Sequence, residues 1–151
     1  MRTLVACCFV ALLLTLVGCD DDDGVEITGD GKPKVTIPAG PPPKQLVIED
    51  LEEGTGKVAR TGDDVRVDYV MVTHSNRREI ASSYGRHPPF EFKLGLPGFA
   101  IDAWDEGVTG MKVGGRRLVI APPDKAYGAQ GRSKIKPGET LVLLIDLLSA
   151  R

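Results

Sequence analysis

The chain has a single tryptophan, Trp104, in the stretch Gly98–Arg117, GFAIDAWDEGVTGMKVGGRR, where a short apolar-periodic run is closed by glycines. A helix of two or three turns is marginal in water unless tertiary packing holds it. Either a core wraps this indole, or the indole belongs to a surface that wraps something else. A second candidate is Tyr127 in the Gly-flanked segment AYGAQG, where a tyrosine is better placed to present its hydroxyl than to fill a core. Residue types for covalent or metal chemistry do not come together. His74 and His87 fall in expected loops, and no Cys/His cluster is present, so neither a metal nor a cofactor is expected. Gly54–Lys57, GTGK, lacks the full spacing and the following Ser/Thr of a phosphate loop and reads as a turn. The run Asp20–Asp23 lacks the alternating ligands and glycine of a calcium loop and reads as solvated linker.

The elements that must hold Trp104 and Tyr127 are mostly strands. LVIEDL is followed by a Gly-rich turn, and DDVRVDYV then alternates with Val65, Val67 and Tyr69 on one face. FEFKL repeats the pattern with Phe90, Phe92 and Leu94, and RRLVI and TLVLLIDLL are later apolar runs. Period-two alternation buries one face and wets the other, as antiparallel sheets do. Taken alone, Phe90 and Phe92 read as core strand residues. One helix fits between Phe92 and Arg116. Ile101, Trp104 and Val108 share a face at i, i+3 and i+7, and Gly107 and Gly110 end or loosen it. The expected fold is α+β, a curved antiparallel sheet wrapped around one short helix.

The start of the chain reads differently. Met1 and Arg2 precede an apolar run from Leu4 to Val17, the layout of a secretory signal and short for a membrane span. Leu16-Val17-Gly18-Cys19 resembles the lipobox of bacterial lipoproteins, which implies a signal peptide over 1–18 and lipidation at Cys19. Cys7 and Cys8 would leave with the signal, so Cys19 remains without an intramolecular partner, and acylation accounts for it. Residues 19–44, acidic and then Pro/Gly-rich, read as a tether with no helical or strand period, and residues 45–151 as one domain. Without residues 1–18 the balance is 18 basic against 21 acidic side chains, which offers no basic face for nucleic acid.

Four segments in order, PPFEFKLG (88–95), AWDEGVTGMKVGGRR (103–117), PPDKAYGAQG (122–131) and TLVLLIDLL (140–148), resemble the FKBP-type peptidyl-prolyl cis-trans isomerases. The likeness runs from about Gly54 to Leu148. It implies that Trp104 floors a cleft that accepts a proline ring, and that the Ile101 backbone N–H and the Tyr127 hydroxyl hold substrate carbonyls. It further implies cleft positions at Tyr69, Phe90, Phe92, Ala100, Ile135 and Leu143. One segment departs from the family pattern. The usual Phe-Asp after the second strand is matched by Ile80 and Ala81, so Arg86 loses its natural acidic partner; either Arg86 turns into solvent or another carboxylate takes over, with Asp102 the candidate. Gly95 to Trp104 is one residue longer than usual, and Arg132 replaces a ring-bearing residue. The resemblance implies an isomerase acting on X-Pro segments. The lipobox adds that its substrates are exported proteins and that it is held in the cell envelope through Cys19. A monomer is expected because nothing in the sequence marks a second interface. The Ile80-Ala81 departure leaves an alternative, a weak or inactive FKBP-like peptide-binding or chaperone module.

Overall fold

The computed structural model describes residues 31–85, 88–98 and 101–151. The expected signal over 1–18, Cys19, Arg86, His87 and Ala100 lie outside the described residues. The elements run β1 (Val47–Glu52), β2 (Asp64–Thr73), β3 (Glu79–Ser82), β4 (Phe90–Lys93), α1 (Asp102–Val108), β5 (Arg116–Ala121) and β6 (Leu141–Ala150). They form one antiparallel sheet in the order β1-β5-β6-β2-β3, with β4 also paired to β2.

The long strands carry two apolar faces. On β2, Val65, Val67 and Met71 point towards α1, while Val70 and Val72 point to the opposite side. On β6, Leu141, Leu143, Ile145 and Leu147 face the helix and Val142 and Leu144 face away. This explains why TLVLLIDLL is a continuous apolar run rather than an alternating one: both of its faces are covered.

The second face is covered by a segment that the sequence reading places in the tether. In KPKVTIP (32–38), Pro33 and Ile37 are buried and Val35 is half-buried, with exposed Lys34 and Thr36 between them. Ile37, at 7 % exposure, joins the cluster of Val70, Val72, Leu118, Ile120, Val142 and Leu144. Lys32 anchors the start of this strap by a 2.6 Å ion pair to Glu79. Residues 32–38 are thus part of the folded body rather than free spacer, because the sheet's outer face is apolar and needs a cover.

Two strands share the free edge of β2. β4 pairs with residues 64–67 and β3 with 70–72, and between them the chain leaves the sheet. Ser83 manages the departure. Its N–H donates to Tyr69 O at 3.0 Å, its Oγ accepts the Tyr69 N–H at 2.9 Å, and the hydroxyl donates to Asp68 Oδ1 at 2.8 Å. A side-chain hydroxyl here takes the place of a ladder carbonyl, so no backbone donor is stranded.

The helix is fixed at both ends. Asp105 Oδ1 accepts the Gly95 N–H at 2.7 Å, tying α1 to the turn after β4. At the other end Arg117 Nη1 donates to the carbonyls of Gly107 (3.0 Å) and Thr109 (3.2 Å), supplying partners for helix-end carbonyls. The same guanidinium makes a bidentate pair with Asp50 at 2.6 and 2.9 Å, which locks α1, β5 and β1 together. Gly107 lies against β5 so closely that a Cβ there would come within 2.9 Å of Val119 Cγ2. These contacts set the height at which Trp104 sits over the sheet.

Candidate functional site: an aromatic-floored cleft

Trp104 is 4 % exposed and sits within a cluster of rings. Tyr69 meets it edge-on at 4.9 Å between centroids, Phe90 is tilted at 5.4 Å, and Phe92 is edge-on at 5.8 Å. Phe90 and Phe92 stack at 5.3 Å, and Tyr69 meets Phe90 edge-on at 5.7 Å. Edge-to-face and offset pairs of this kind hold one another in fixed orientation. Both readings of the indole therefore apply: one side belongs to the core, and the other forms the floor of a cleft of about 620 Å³. That volume lies in the range of sites for small ligands and peptide side chains, roughly 300–1,000 Å³.

The walls come from four parts of the chain. β2 supplies Tyr69 and Met71, and β3 supplies Ile80 and Ala81. Phe90 opens β4, and Gly98 and Ile101 lead into α1, with Ile101 as its N-cap residue. The long loop between β5 and β6 contributes Tyr127, Arg132, Ser133, Lys134 and Ile135. The Tyr127 hydroxyl makes no hydrogen bond to any described residue. Its loop is held by the backbone instead, through Gly128 N–H to Pro123 O (2.7 Å), Gly131 N–H to Tyr127 O (3.1 Å) and Gly138 N–H to Gly128 O (3.0 Å). Glu139 adds an anchor, accepting from Ser75 N–H and Oγ at 3.0 and 2.7 Å.

Of the residues singled out in the sequence, Tyr69, Ile80, Ala81, Phe90, Ile101, Trp104, Tyr127 and Ile135 come together around this cleft. Phe92 and Leu143 lie one layer down. Phe92 supports the ring cluster, and Leu143, fully buried, pairs across strands with Met71 and Val119. Asp102 does not replace the absent carboxylate. It is 65 % exposed and lies 3.7 Å from Lys125 Nζ on the outside. Helical geometry explains this, since residues two apart point roughly 200° from one another, so Asp102 faces away from Trp104. Among the described residues no carboxylate lines the cleft. Met71, Gly98, Ser133 and Lys134 line it without having been singled out. Only Met71 was legible, as the next inward position after Val65, Val67 and Tyr69.

Comparison with known proteins gives the same picture. The family model described as FKBP-type peptidyl-prolyl cis-trans isomerase matches residues 56–148. An FK506-binding protein of Streptomyces anulatus is 48 % identical over 120 residues, covering 78 % of this chain and 96 % of its own. A probable FK506-binding protein of Corynebacterium glutamicum is 46 % identical over 120 residues, covering 79 % of this chain and 98 % of its own. These shares exceed what residues 45–151 alone can supply, so the likeness reaches back into the segment that straps the sheet. Among solved structures, AtFKBP13 is 30 % identical with a TM-score of 0.64, covering 73 % of this chain and 96 % of its own. FkpA from Escherichia coli is 30 % identical with a TM-score of 0.63, covering 87 % of this chain and 53 % of its own. With the sheet, the short helix and the aromatic cleft in place, this chain belongs to the FKBP-type peptidyl-prolyl cis-trans isomerase family.

Proposed function

We propose that the cleft over Trp104 is where this isomerase turns X-Pro bonds, and that it does so in the cell envelope on exported proteins, tethered through a lipidated Cys19. The observation that carries the reading of the site is the ring cluster beneath an open cleft, with a loop tyrosine whose hydroxyl has no partner among the described residues. An X-Pro bond is held planar by resonance behind a barrier of about 18–20 kcal/mol, while cis and trans differ by only about 0.5–1 kcal/mol. The twisted transition state has lost amide resonance and the charge separation that accompanies it. An aromatic floor disfavours the more dipolar planar form and thereby narrows the gap to the twisted one. Trp104, Tyr69 and Phe90 supply that floor, and the Ile101 N–H and Tyr127 hydroxyl orient the peptide carbonyls.

A second reading rests on Ile80 and Ala81, which line the cleft without a carboxylate. It makes the domain a holder of proline segments with little turnover. A protease-free isomerisation assay on the full chain separates the two, run beside Trp104→Ala, Tyr127→Phe and Ala81→Asp. The enzyme reading expects turnover in the wild type, a loss of about tenfold or more in Trp104→Ala, and little gain from Ala81→Asp. A silent wild type that is rescued by Ala81→Asp establishes the holder instead. The anchor is tested by labelling cells with radioactive palmitate: the wild type takes up label, and Cys19→Ser does not. Equal labelling of both chains refutes lipidation at Cys19.

A further inference from the structure

The rim of the cleft is positive, although the chain as a whole carries a net charge of −2. Arg132 and Lys134 both line the cleft and both are exposed. Neither forms an ion pair with a described residue. Several cations elsewhere on the body are paired, Lys57 with Asp63, Arg66 with Glu91, Lys112 with Glu53, Arg116 with Asp146, Arg117 with Asp50 and Lys125 with Glu106. The acid next to the cleft residue Ile101, Asp102, is turned outward to Lys125. Arg132 and Lys134 thus place two positive charges without ion pairs on the rim of the cleft over Trp104, where no described carboxylate offsets them.

They are also held there. Arg132 and Ile135 exchange backbone hydrogen bonds at 3.0 and 2.9 Å, making Ser133-Lys134 the two-residue tip of a tight hairpin. Ser133 sits at φ +53°, a left-handed conformation that a non-glycine residue adopts only when its surroundings impose it. Gly131 lets the returning strand close, because a Cβ there would fall 2.4 Å from Ile135 O. The Arg132 guanidinium lies over the Tyr127 ring, 5.9 Å from its centre and within cation–π range, which keeps this exposed cation at the mouth of the cleft.

We infer that this cleft selects proline segments that carry an acidic side chain, Asp or Glu, next to the proline. The inference rests on the reading of the cleft as the peptide site and adds the class of peptide it prefers. Rim charges act on encounter and ground-state binding more than on bond rotation, so the preference belongs in KM and leaves kcat alike across peptides. The field of two exposed cations is screened by salt, since the Debye length falls from about 10 Å at 0.1 M to about 3 Å at 1 M.

The test is a protease-free assay on the full chain with peptides carrying Glu, Ala or Lys either immediately before or immediately after proline. The expected order in kcat/KM is Glu, Ala, Lys at one flank or both, spanning about tenfold at low salt and under twofold at 1 M. An Arg132→Glu/Lys134→Glu double variant should invert the Glu-to-Lys ratio. Turnover of all peptides with a flat order, or an order untouched by the charge reversal, overturns the inference and leaves the isomerase reading standing. If no peptide is turned over, Trp104 fluorescence titrations with the same six peptides read the order in Kd. Tighter Glu peptides then support the inference while turnover at this site fails, and a flat order or no binding overturns it.

Discussion

Replacing Ile37 by alanine tests whether residues 32–38 are part of the folded body. The substitution removes three buried carbons, which at about 0.8 kcal/mol per methylene amounts to about 2.4 kcal/mol of lost burial. Ile37 is 7 % exposed, so little of that is discounted. A rigid cavity would add to the cost, but the strap has open grooves beside it, lined on one side by Lys34, Val35, Thr36 and Pro38. It can settle into the gap, and the cost stays near the lower end of the 2–5 kcal/mol range for Ile→Ala. The expected loss is about 2 kcal/mol, or a fall in Tm of about 6 °C. Urea unfolding of the full chain reads it directly. Trp104, the only tryptophan, is buried on the opposite side of the sheet and reports global unfolding rather than local loosening of the strap. Leu144→Ala, from the same cluster, is the control and should cost about 2–5 kcal/mol. A free tether gives a change within about 0.5 kcal/mol. That result for Ile37→Ala, beside a costly Leu144→Ala, would refute the reasoning.

Gly107→Ala should destabilise the chain by about 1–2 kcal/mol despite alanine's better helix propensity, because the new methyl overlaps the fully buried Val119. Thermal unfolding measures the cost, and a shift in Trp104 emission shows that the helix has moved on β5; an unshifted spectrum with raised Tm would contradict the close approach. Asp50 is held below the ordinary carboxylate range, first by its hydrogen bonds with Arg117 and then by that residue's charge. A lowered folded-state pKa means the pair's contribution is present above about pH 4 and is lost as pH falls through the folded value. Asp50 is half exposed, so the increment is at most about 1 kcal/mol. Asp50→Asn should therefore be less stable than wild type at pH 7, with the difference shrinking below pH 4. A gap that stays constant to pH 2 would show that the ion pair contributes nothing.

Much of the fold was legible because burial on one face imposes a period. Val65, Val67 and Tyr69 on β2, and Phe90 and Phe92 on β4, announced their strands by alternation, and the three-residue set Ile101, Trp104 and Val108 announced the helix. β3 was not legible as a strand. Its four residues, EIAS, are too few to show a period, and their pairing depends on a β2 edge that β4 vacates after Val67. The strap was missed for a related reason. Pro33, Val35 and Ile37 do alternate with Lys34 and Thr36, but among Pro and Gly the pattern carried no weight until an apolar sheet face stood opposite it.

The candidate site divides along the same line. Residue type and spacing determined that Trp104 sits on a short helix needing support, that Tyr127 lies in a Gly-rich loop and that the chain resembles a proline isomerase. Tertiary structure alone decided that Tyr69, Phe90 and Trp104 form one ring cluster, that Leu143 lies beneath the cleft, that Asp102 turns to Lys125, and that Arg132 and Lys134 stand unpaired at the rim. The physical reason is that a period fixes which way a side chain points from its own element. What it meets there depends on which distant segments pack against that element, and that is a property of the assembled sheet.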